Sequence, residues 1–312
     1  MRVLISCRSL GGMNGGQQRN VCSMIHALAK HSVTVVTNRL IEGGEIPAHR
    51  DLTVLLAHAG TPSGPYDMYL EMQSSPSLVK DCDARVKILM PSGDDVHGRE
   101  KLFDRIALQT PAGAKYFADA SKALYLPPPY EALPRAKKPA VKLPRRYFLT
   151  VFNPYSRLTD DGSGLNPYKG YDILARVAPQ SPLPIVWCHS NRSIESAEPL
   201  TKAPNILHIE HASPGELRHL YEHATAYVCF SRDEGFGWAI ADALAAKIPV
   251  ISRDIGVLTM FENVHGIYRY KSEDQLLKWL HLGLYEKSRC EIKKLDPSLF
   301  LERLEDVLRV TV

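Results

Sequence analysis

The segment from residue 226 to residue 251 constrains the fold of this chain more than any other. A short apolar run at 226–230 precedes the turn Glu234-Gly235-Phe236-Gly237, an alanine-rich stretch at 238–245 and a second apolar run at 248–251. This order predicts a strand, a glycine-rich turn, a helix and another strand. Backbone N–H groups at the start of such a helix, with the positive end of its dipole, form a site for phosphate.

Two acidic residues accompany this predicted phosphate site. Glu234 opens the turn, and Asp242 follows eight positions later. Ionised carboxylates accept strong hydrogen bonds from the hydroxyls of a sugar or a ribose. A phosphate site beside two carboxylates indicates a nucleotide sugar, and the alternative interpretation is a surface turn before a packed helix.

The same stretch resembles the acid-x7-acid motif of retaining glycosyltransferases with the GT-B fold, and of glycosyltransferase family 4 in particular. Glu234, Gly235, Phe236 and Gly237 match the motif, whereas Asp242 stands where a second Glu is expected. The resemblance implies an α/β protein with two Rossmann-like domains that face each other across a cleft. It also implies that Glu234 holds donor-sugar hydroxyls, that Asp242 holds ribose hydroxyls, and that the turn binds the donor.

The activity implied by the resemblance is retaining, metal-independent transfer of a hexose-type sugar from a nucleotide diphosphate sugar to an acceptor hydroxyl. No cofactor is expected beyond this donor substrate, and attack on the same face of the sugar needs no dedicated protein base. The acceptor stays open between a saccharide, a lipid-linked saccharide and another hydroxyl compound. Two alternatives remain: another GT-B nucleotide-sugar enzyme, such as an epimerase or phosphorylase, and a non-catalytic nucleotide-sugar-binding protein.

Chain length and proline content predict two domains. A chain of 312 residues is too long for one typical core and fits two domains of about 150 residues each. Six prolines at positions 127–144 exclude regular helix or central strand and predict a linker. We expect an acceptor-side domain over residues 1–140, a nucleotide-sugar-binding domain over 145–295, and a last helix over 296–312 that packs back on the first domain.

Charge and cysteine content bear on partners and location. The formal net charge of +4 permits an anionic partner but does not indicate nucleic acid. Six scattered cysteines without a Cys-x-x-Cys pair are typical of reduced thiols in a cytosolic protein. We therefore expect a cytoplasmic protein. The basic residues in and after the proline-rich linker indicate either a solvated linker or a peripheral contact with an anionic membrane.

A second strand–loop–helix–strand pattern opens the chain. Apolar runs at 3–6 and 33–37 flank a glycine-rich loop that ends in Gly15-Gly16, followed by an amphipathic stretch, which predicts parallel strands and a right-handed crossover. The glycine spacing does not fit a dinucleotide fingerprint. The resemblance implies that Gly15 and Gly16 lie near the donor phosphates, and a turn without ligand is the alternative.

The rest of the first half is predicted to contain strands at 52–57 and 86–90 with a helix between them, and a helix at 112–120. In family 4 a histidine often follows the second of these strands, whereas here Pro91 or Ser92 stands at that place. The nearest polar candidates lie within residues 94–97. We interpret Asp94-Asp95 as a turn and predict no metal site.

Cations for the donor diphosphate are predicted in the second half. Lys169-Gly170 matches the Lys-Gly pair with which the family binds the diphosphate. The family's arginine lies four residues before this lysine, whereas Arg157 precedes Lys169 by twelve positions. Arg157 is our first candidate, and Arg232 and Arg253 are alternatives. A cation here would stabilise the departing diphosphate.

The loop at 210–212 follows a predicted strand at 206–209. By resemblance it lies where the nucleobase binds, so His211 is a candidate for stacking on the base or hydrogen-bonding to it, with a solvent-exposed loop histidine as the alternative. Ser213-Pro214-Gly215-Glu216 then predicts a helix start with a capping box.

Overall fold

Most of the chain is described by the structure, which is a computed structural model. The described residues are 1–11, 16–41, 44–60, 62–72, 77–91, 98–117, 120–154, 166–189 and 203–310. They divide into two compact units, residues 1–131 with 293–312, and residues 132–292. Each unit contains one β-sheet.

Strands and helices alternate along the described chain. The strands are β1 (Arg2–Leu10), β2 (Ser32–Leu40), β3 (Leu52–Leu56), β4 (Tyr66–Met72), β5 (Ala84–Met90), β6 (Arg105–Leu108), β7 (Ala123–Tyr125), β8 (Phe148–Val151), β9 (Ile185–His189), β10 (Ile206–Glu210), β11 (Ala226–Val228), β12 (Val250–Ser252) and β13 (Ile267–Arg269). The α-helices are α1 (Gly16–Ala27), α2 (Tyr171–Val177), α3 (Pro214–His223), α4 (Trp238–Ala245), α5 (Glu273–Leu280) and α6 (Pro297–Val310). Among the described helices, none is long and apolar enough to cross a membrane.

The sheet of the first unit has seven described strands in the order β3-β2-β1-β4-β5-β6-β7, and all of its pairs are parallel. Helices α1 and α6 share one hydrophobic core with this sheet. Met24 and Ile25 of α1 and Phe300 and Leu304 of α6 are buried in that core with Ile5 of β1. The last helix of the chain is therefore part of the first unit.

The prediction of a helix between residues 57 and 86 is wrong, because the described part of this region contains the strand β4. Polar residues in β4 recur at a spacing that also fits a helix, but Tyr69, Leu70 and Glu71 are fully buried. The Glu71 carboxylate accepts hydrogen bonds from Tyr69 Oη (2.6 Å) and Ser77 Oγ (3.0 Å) and pairs with Arg99. These partners allow a carboxylate inside a central strand. The helix predicted at 112–120 is a short 3-10 turn at Pro111–Tyr116.

The sheet of the second unit has six described strands in the order β10-β9-β8-β11-β12-β13, again all parallel. Counted from β8, this is the 3-2-1-4-5-6 order of Rossmann folds. The connections leave to one side after β8 and to the other after β11, so the crevice between the carboxyl ends of these two strands is the topological switch point. Ligands of open α/β sheets bind at such a point.

The start of α3 confirms the predicted capping box. Ser213 Oγ accepts a hydrogen bond from the Glu216 backbone N–H (3.3 Å), and the Glu216 carboxylate accepts one from the Ser213 N–H (2.9 Å). Local sequence chemistry is therefore sufficient to fix this helix start.

Candidate active site

Lys169 lies on a one-turn 3-10 helix, Pro167–Lys169, directly before α2. The next residue, Gly170, has a φ of +68°, and a Cβ there would lie 2.1 Å from the carbonyl oxygen of Phe230. Only glycine permits this approach together with this backbone conformation. The turn that carries Lys169 is therefore packed directly against the segment that follows β11.

Glu234 lies in that segment and contacts Lys169. Its Oε1 atom accepts hydrogen bonds from Lys169 Nζ (2.7 Å) and from Ser231 Oγ (2.7 Å). The Lys169 and Glu234 side chains are 29% and 18% exposed, so the pair keeps access to solvent. Within the described part of the chain, Oε2 of Glu234 accepts no hydrogen bond.

Burial and charge act on Lys169 in opposite directions. Burial by itself lowers the pKa of the ammonium, but the adjacent Glu234 carboxylate outweighs it, and the pKa of Lys169 is raised above its ordinary value. Lys169 is therefore a cation at neutral pH.

Glycines shape the loop between Glu234 and α4. Gly237 is the N-cap residue of α4, with a φ of +81°. Gly256 has a φ of +52°, and a Cβ there would lie 2.5 Å from the Phe236 carbonyl oxygen. The Val257 backbone N–H donates to this oxygen at 2.6 Å. Gly235 lies between Glu234 and the buried Phe236, so the loop approaches the start of α4 through a closely packed path.

Asp242 and His211 belong to the same unit but to other elements. Asp242 is on α4 and is 5% exposed. His211 follows β10 with a φ of +54°, and its backbone N–H donates to the His189 carbonyl oxygen at 2.8 Å. Its Nε2 atom lies 3.4 Å from Glu210 Oε1, and the side chain is partly exposed. His211 follows β10 and Glu234 follows β11, and β9 and β8 lie between these two strands in the sheet. Both residues are therefore at the edge formed by the carboxyl ends of the strands, but they are three strands apart.

Several predicted positions lie elsewhere. Gly16 is the exposed first residue of α1 in the first unit. Gly15, Arg157 and residues 92–97 lie outside the described residues. Among the side chains that the structure describes, no group of three or more His, Cys, Asp or Glu could hold a metal ion.

Two residues that support this site were not predicted from the sequence. Ser231 was not predicted to contact Glu234, although it stands three residues before it. Asp172 was not predicted either, yet it accepts two hydrogen bonds from Arg232, at 2.8 and 2.6 Å. A signal existed for Asp172, because a carboxylate three residues after Lys169 can reach a cation near the Lys-Gly pair.

A family model matches the part of the chain that carries this candidate site. Residues 164–263, which include Lys169, Glu234 and Asp242, match the family model described as glycosyl transferases group 1. This segment is a glycosyltransferase domain. The resemblance to GT-B glycosyltransferases and the assignment as a glycosyltransferase enzyme are thereby confirmed. None of the curated protein sequences compared with this chain is detectably similar to it.

Similarity to solved structures extends over nearly the whole chain. AviGT4, a glycosyltransferase involved in avilamycin A biosynthesis, has a TM-score of 0.65 at 16% identity, covering 99% of this chain and 97% of its own. HepE from Anabaena, solved with UDP and glucose, has a TM-score of 0.59 at 12% identity, covering 100% and 95%. Sucrose-phosphate synthase from Thermosynechococcus elongatus has a TM-score of 0.61 at 14% identity, covering 99% and 94%. Similarity at such low sequence identity shows the fold alone, and it confirms the predicted α/β fold class of GT-B enzymes.

Proposed function

We propose that the protein transfers a hexose-type sugar from a nucleotide diphosphate sugar to an acceptor hydroxyl, with retention at the anomeric carbon and without a metal ion. The observation that carries this proposal is the contact between the Lys169 ammonium and Glu234 Oε1 beside the switch point of the second sheet. A cation and a carboxylate at one point suit a ligand that joins a phosphate to a polyol.

The proposed role of Lys169 is to stabilise the departing diphosphate. Negative charge grows on this leaving group as the sugar–oxygen bond breaks, so a cation held beside it lowers the barrier more than it tightens substrate binding. The backbone N–H groups of residues 235–237 and the dipole of α4 would add to the same stabilisation. By resemblance, Arg157 would supply a second cation, and Gly15 and Gly16 would approach the phosphates.

The proposed role of Glu234 is to hold the donor sugar. Lys169 and Ser231 contact one carboxylate oxygen, and Oε2 accepts no hydrogen bond from the described residues, so this atom suits a sugar hydroxyl. Asp242 would hold the ribose hydroxyls, and His211 would stack on the base. HepE, which has a similar fold, is solved with UDP and glucose, and this supports a nucleoside diphosphate donor.

Retention would follow from attack on the same face of the sugar that the diphosphate leaves. A diphosphate oxygen would take the proton of the acceptor hydroxyl, so the step needs no protein base. The acceptor is proposed to be a saccharide, free or lipid-linked, in a cytoplasmic reaction. The basic residues of the linker at 135–146 support peripheral contact with an anionic membrane.

The test begins with thermal-shift screening of UDP-, GDP-, ADP-, CDP- and TDP-linked hexoses, because a ligand that binds only the folded state raises the melting temperature. With the donor that binds, release of nucleoside diphosphate is measured with and without candidate saccharide acceptors. We expect release that depends on the acceptor, and product of retained anomeric configuration. Release without acceptor would favour another GT-B nucleotide-sugar enzyme, such as an epimerase or phosphorylase, and binding without turnover would favour a non-catalytic protein.

A further inference from the structure

Arg232 stands two residues before Glu234, and it contacts the turn that carries Lys169. Its backbone N–H donates to the Tyr168 carbonyl oxygen at 2.7 Å, and its Nη1 atom donates to the Pro167 carbonyl oxygen at 2.6 Å. Its guanidinium also forms a two-pronged contact with Asp172, with Nη1 2.8 Å from Oδ1 and Nη2 2.6 Å from Oδ2. One residue therefore joins the Glu234 loop to both ends of residues 167–172.

These contacts enclose Lys169 in the sequence. Pro167 and Tyr168 precede it, and Asp172 follows it at the start of α2. A planar guanidinium can direct parallel hydrogen bonds to a carboxylate and a further one to a carbonyl, whereas an ammonium is a single point of charge. Arg232 thereby fixes the turn from two sides.

The ion pair between Arg232 and Asp172 is better suited to positioning the Lys169 turn than to stabilising the fold. The Arg232 and Asp172 side chains are 38% and 30% exposed, and ion pairs with such exposure contribute little to folding. Asp172 is also held by Arg176, which in turn pairs with Glu273 at 2.6 Å. The hydrogen bonds from Arg232, with the help of Arg176, lower the pKa of Asp172 to about 2, so the carboxylate is ionised throughout the neutral range.

We infer that Arg232 is a positioning residue for Lys169: its guanidinium anchors residues 167–172 so that the Lys169 ammonium is held beside Glu234, where the diphosphate leaves. This role rests on the proposed function. It differs from the phosphate-binding role that the sequence left open for Arg232, because the guanidinium is committed to Asp172 and to the Pro167 carbonyl oxygen.

The test is a double-mutant cycle on turnover with the donor that the wild type uses. Lys169→Ala is expected to lower kcat about 10²-fold, as loss of a comparable transition-state donor does. Arg232→Met is expected to lower kcat roughly 10- to 100-fold, because misplacing a catalytic group by about 1 Å has effects of that size. If Arg232 acts through Lys169, the double variant should match Lys169→Ala within about threefold.

Two further variants distinguish a positioning effect of Arg232 from an effect of its charge alone and from a general effect on the structure around Asp172. Arg232→Lys keeps the charge but lacks the fork, and we expect it to be about as slow as Arg232→Met. Arg176→Met is the matched control, because Arg176 also binds Asp172 but does not contact residues 167–168. It should keep kcat within about twofold. All variants should retain the far-UV circular dichroism of the wild type.

The positioning role would be overturned if the losses of kcat from the two single substitutions multiplied in the double variant, or if Arg232→Lys kept the wild-type kcat. Either result would leave the proposed function intact. If the wild type transfers no sugar, the proposed function fails, and the role of Arg232 is decided by the affinity of the same proteins for UDP, GDP and ADP. In that case Arg232→Met must weaken nucleotide binding in the protein that keeps Lys169, and must have no effect on nucleotide binding in the Lys169→Ala background. Absence of binding by the wild type would contradict both proposals.

Discussion

Replacing Gly170 by alanine tests whether the Lys169 turn depends on its close packing against Phe230. The added Cβ would lie 2.1 Å from the Phe230 carbonyl oxygen, whereas such contacts essentially never fall below 3.0 Å, so the turn must move away by about 0.9 Å. A left-handed alanine costs roughly 1–2 kcal/mol, and the steric overlap adds about 1–3 kcal/mol. Since Lys169 is the neighbouring residue, kcat is expected to fall about 10²-fold.

The matched control for this substitution is Gly283→Ala. Gly283 has a comparable φ of +78°, but nothing lies within 4 Å of an added Cβ. This variant carries only the backbone cost. For a unit of about 160 residues, each kcal/mol shifts the melting temperature by roughly 2–4 °C.

Thermal unfolding and initial-rate assays of the two variants give the result. Gly170→Ala is expected to melt roughly 2–12 °C below Gly283→Ala, and only Gly170→Ala should lose turnover. Equal melting temperatures together with wild-type turnover in Gly170→Ala would refute the reasoning, because the Lys169 turn would then not depend on this approach.

Further predictions concern the residues around Glu234 and Asp172. Glu234→Gln should remain folded but transfer sugar poorly; a loss of folding without a specific loss of activity, seen by circular dichroism, would indicate a structural role. Ser231→Ala removes a hydrogen bond to an ionised carboxylate and should lower the free energy of unfolding by about 1.5–3 kcal/mol in urea titrations; an unchanged midpoint would contradict that contact. Because the pKa of Asp172 is depressed from 3.8 to about 2, its stabilising contribution is complete above pH 3.8 and disappears as the pH falls through about 2. The stability difference between wild type and Asp172→Asn should therefore stay constant from pH 7 to about 4 and narrow below that, and a difference that changes near neutral pH would exclude this cause.

Features determined by neighbouring residues could be predicted from the sequence. The capping box at 213–216 satisfies backbone groups with side chains three residues away. The glycine-rich turn before α4 depends on backbone conformations that only its own glycines adopt easily, as the φ of Gly237 shows. The two-domain α/β organisation was predicted from chain length, from the proline-rich linker and from the resemblance of the glycine-rich turn to GT-B enzymes, and the apolar runs that alternate with helical patterns agree with it.

Features determined by distant contacts could not be predicted in the same way. The sequence of β4 fits a helix because its polar residues recur at helical spacing. Its strand conformation depends on pairing with β1 on one side and β5 on the other. The partner of Arg232 is Asp172, sixty positions earlier, and only the folded sheet brings the two together. The same holds for Gly170, whose need for glycine comes from the carbonyl group of Phe230.

Calorimetric titration of the wild type and Lys169→Met with UDP, GDP and ADP tests most directly whether the second unit binds a diphosphate through Lys169. The wild type should bind at least one of these nucleotides, and Lys169→Met should bind it at least about tenfold more weakly, which corresponds to about 1.4 kcal/mol. Equal affinities for the two proteins, or no heat from any of the three nucleotides with folded wild type, would contradict the account.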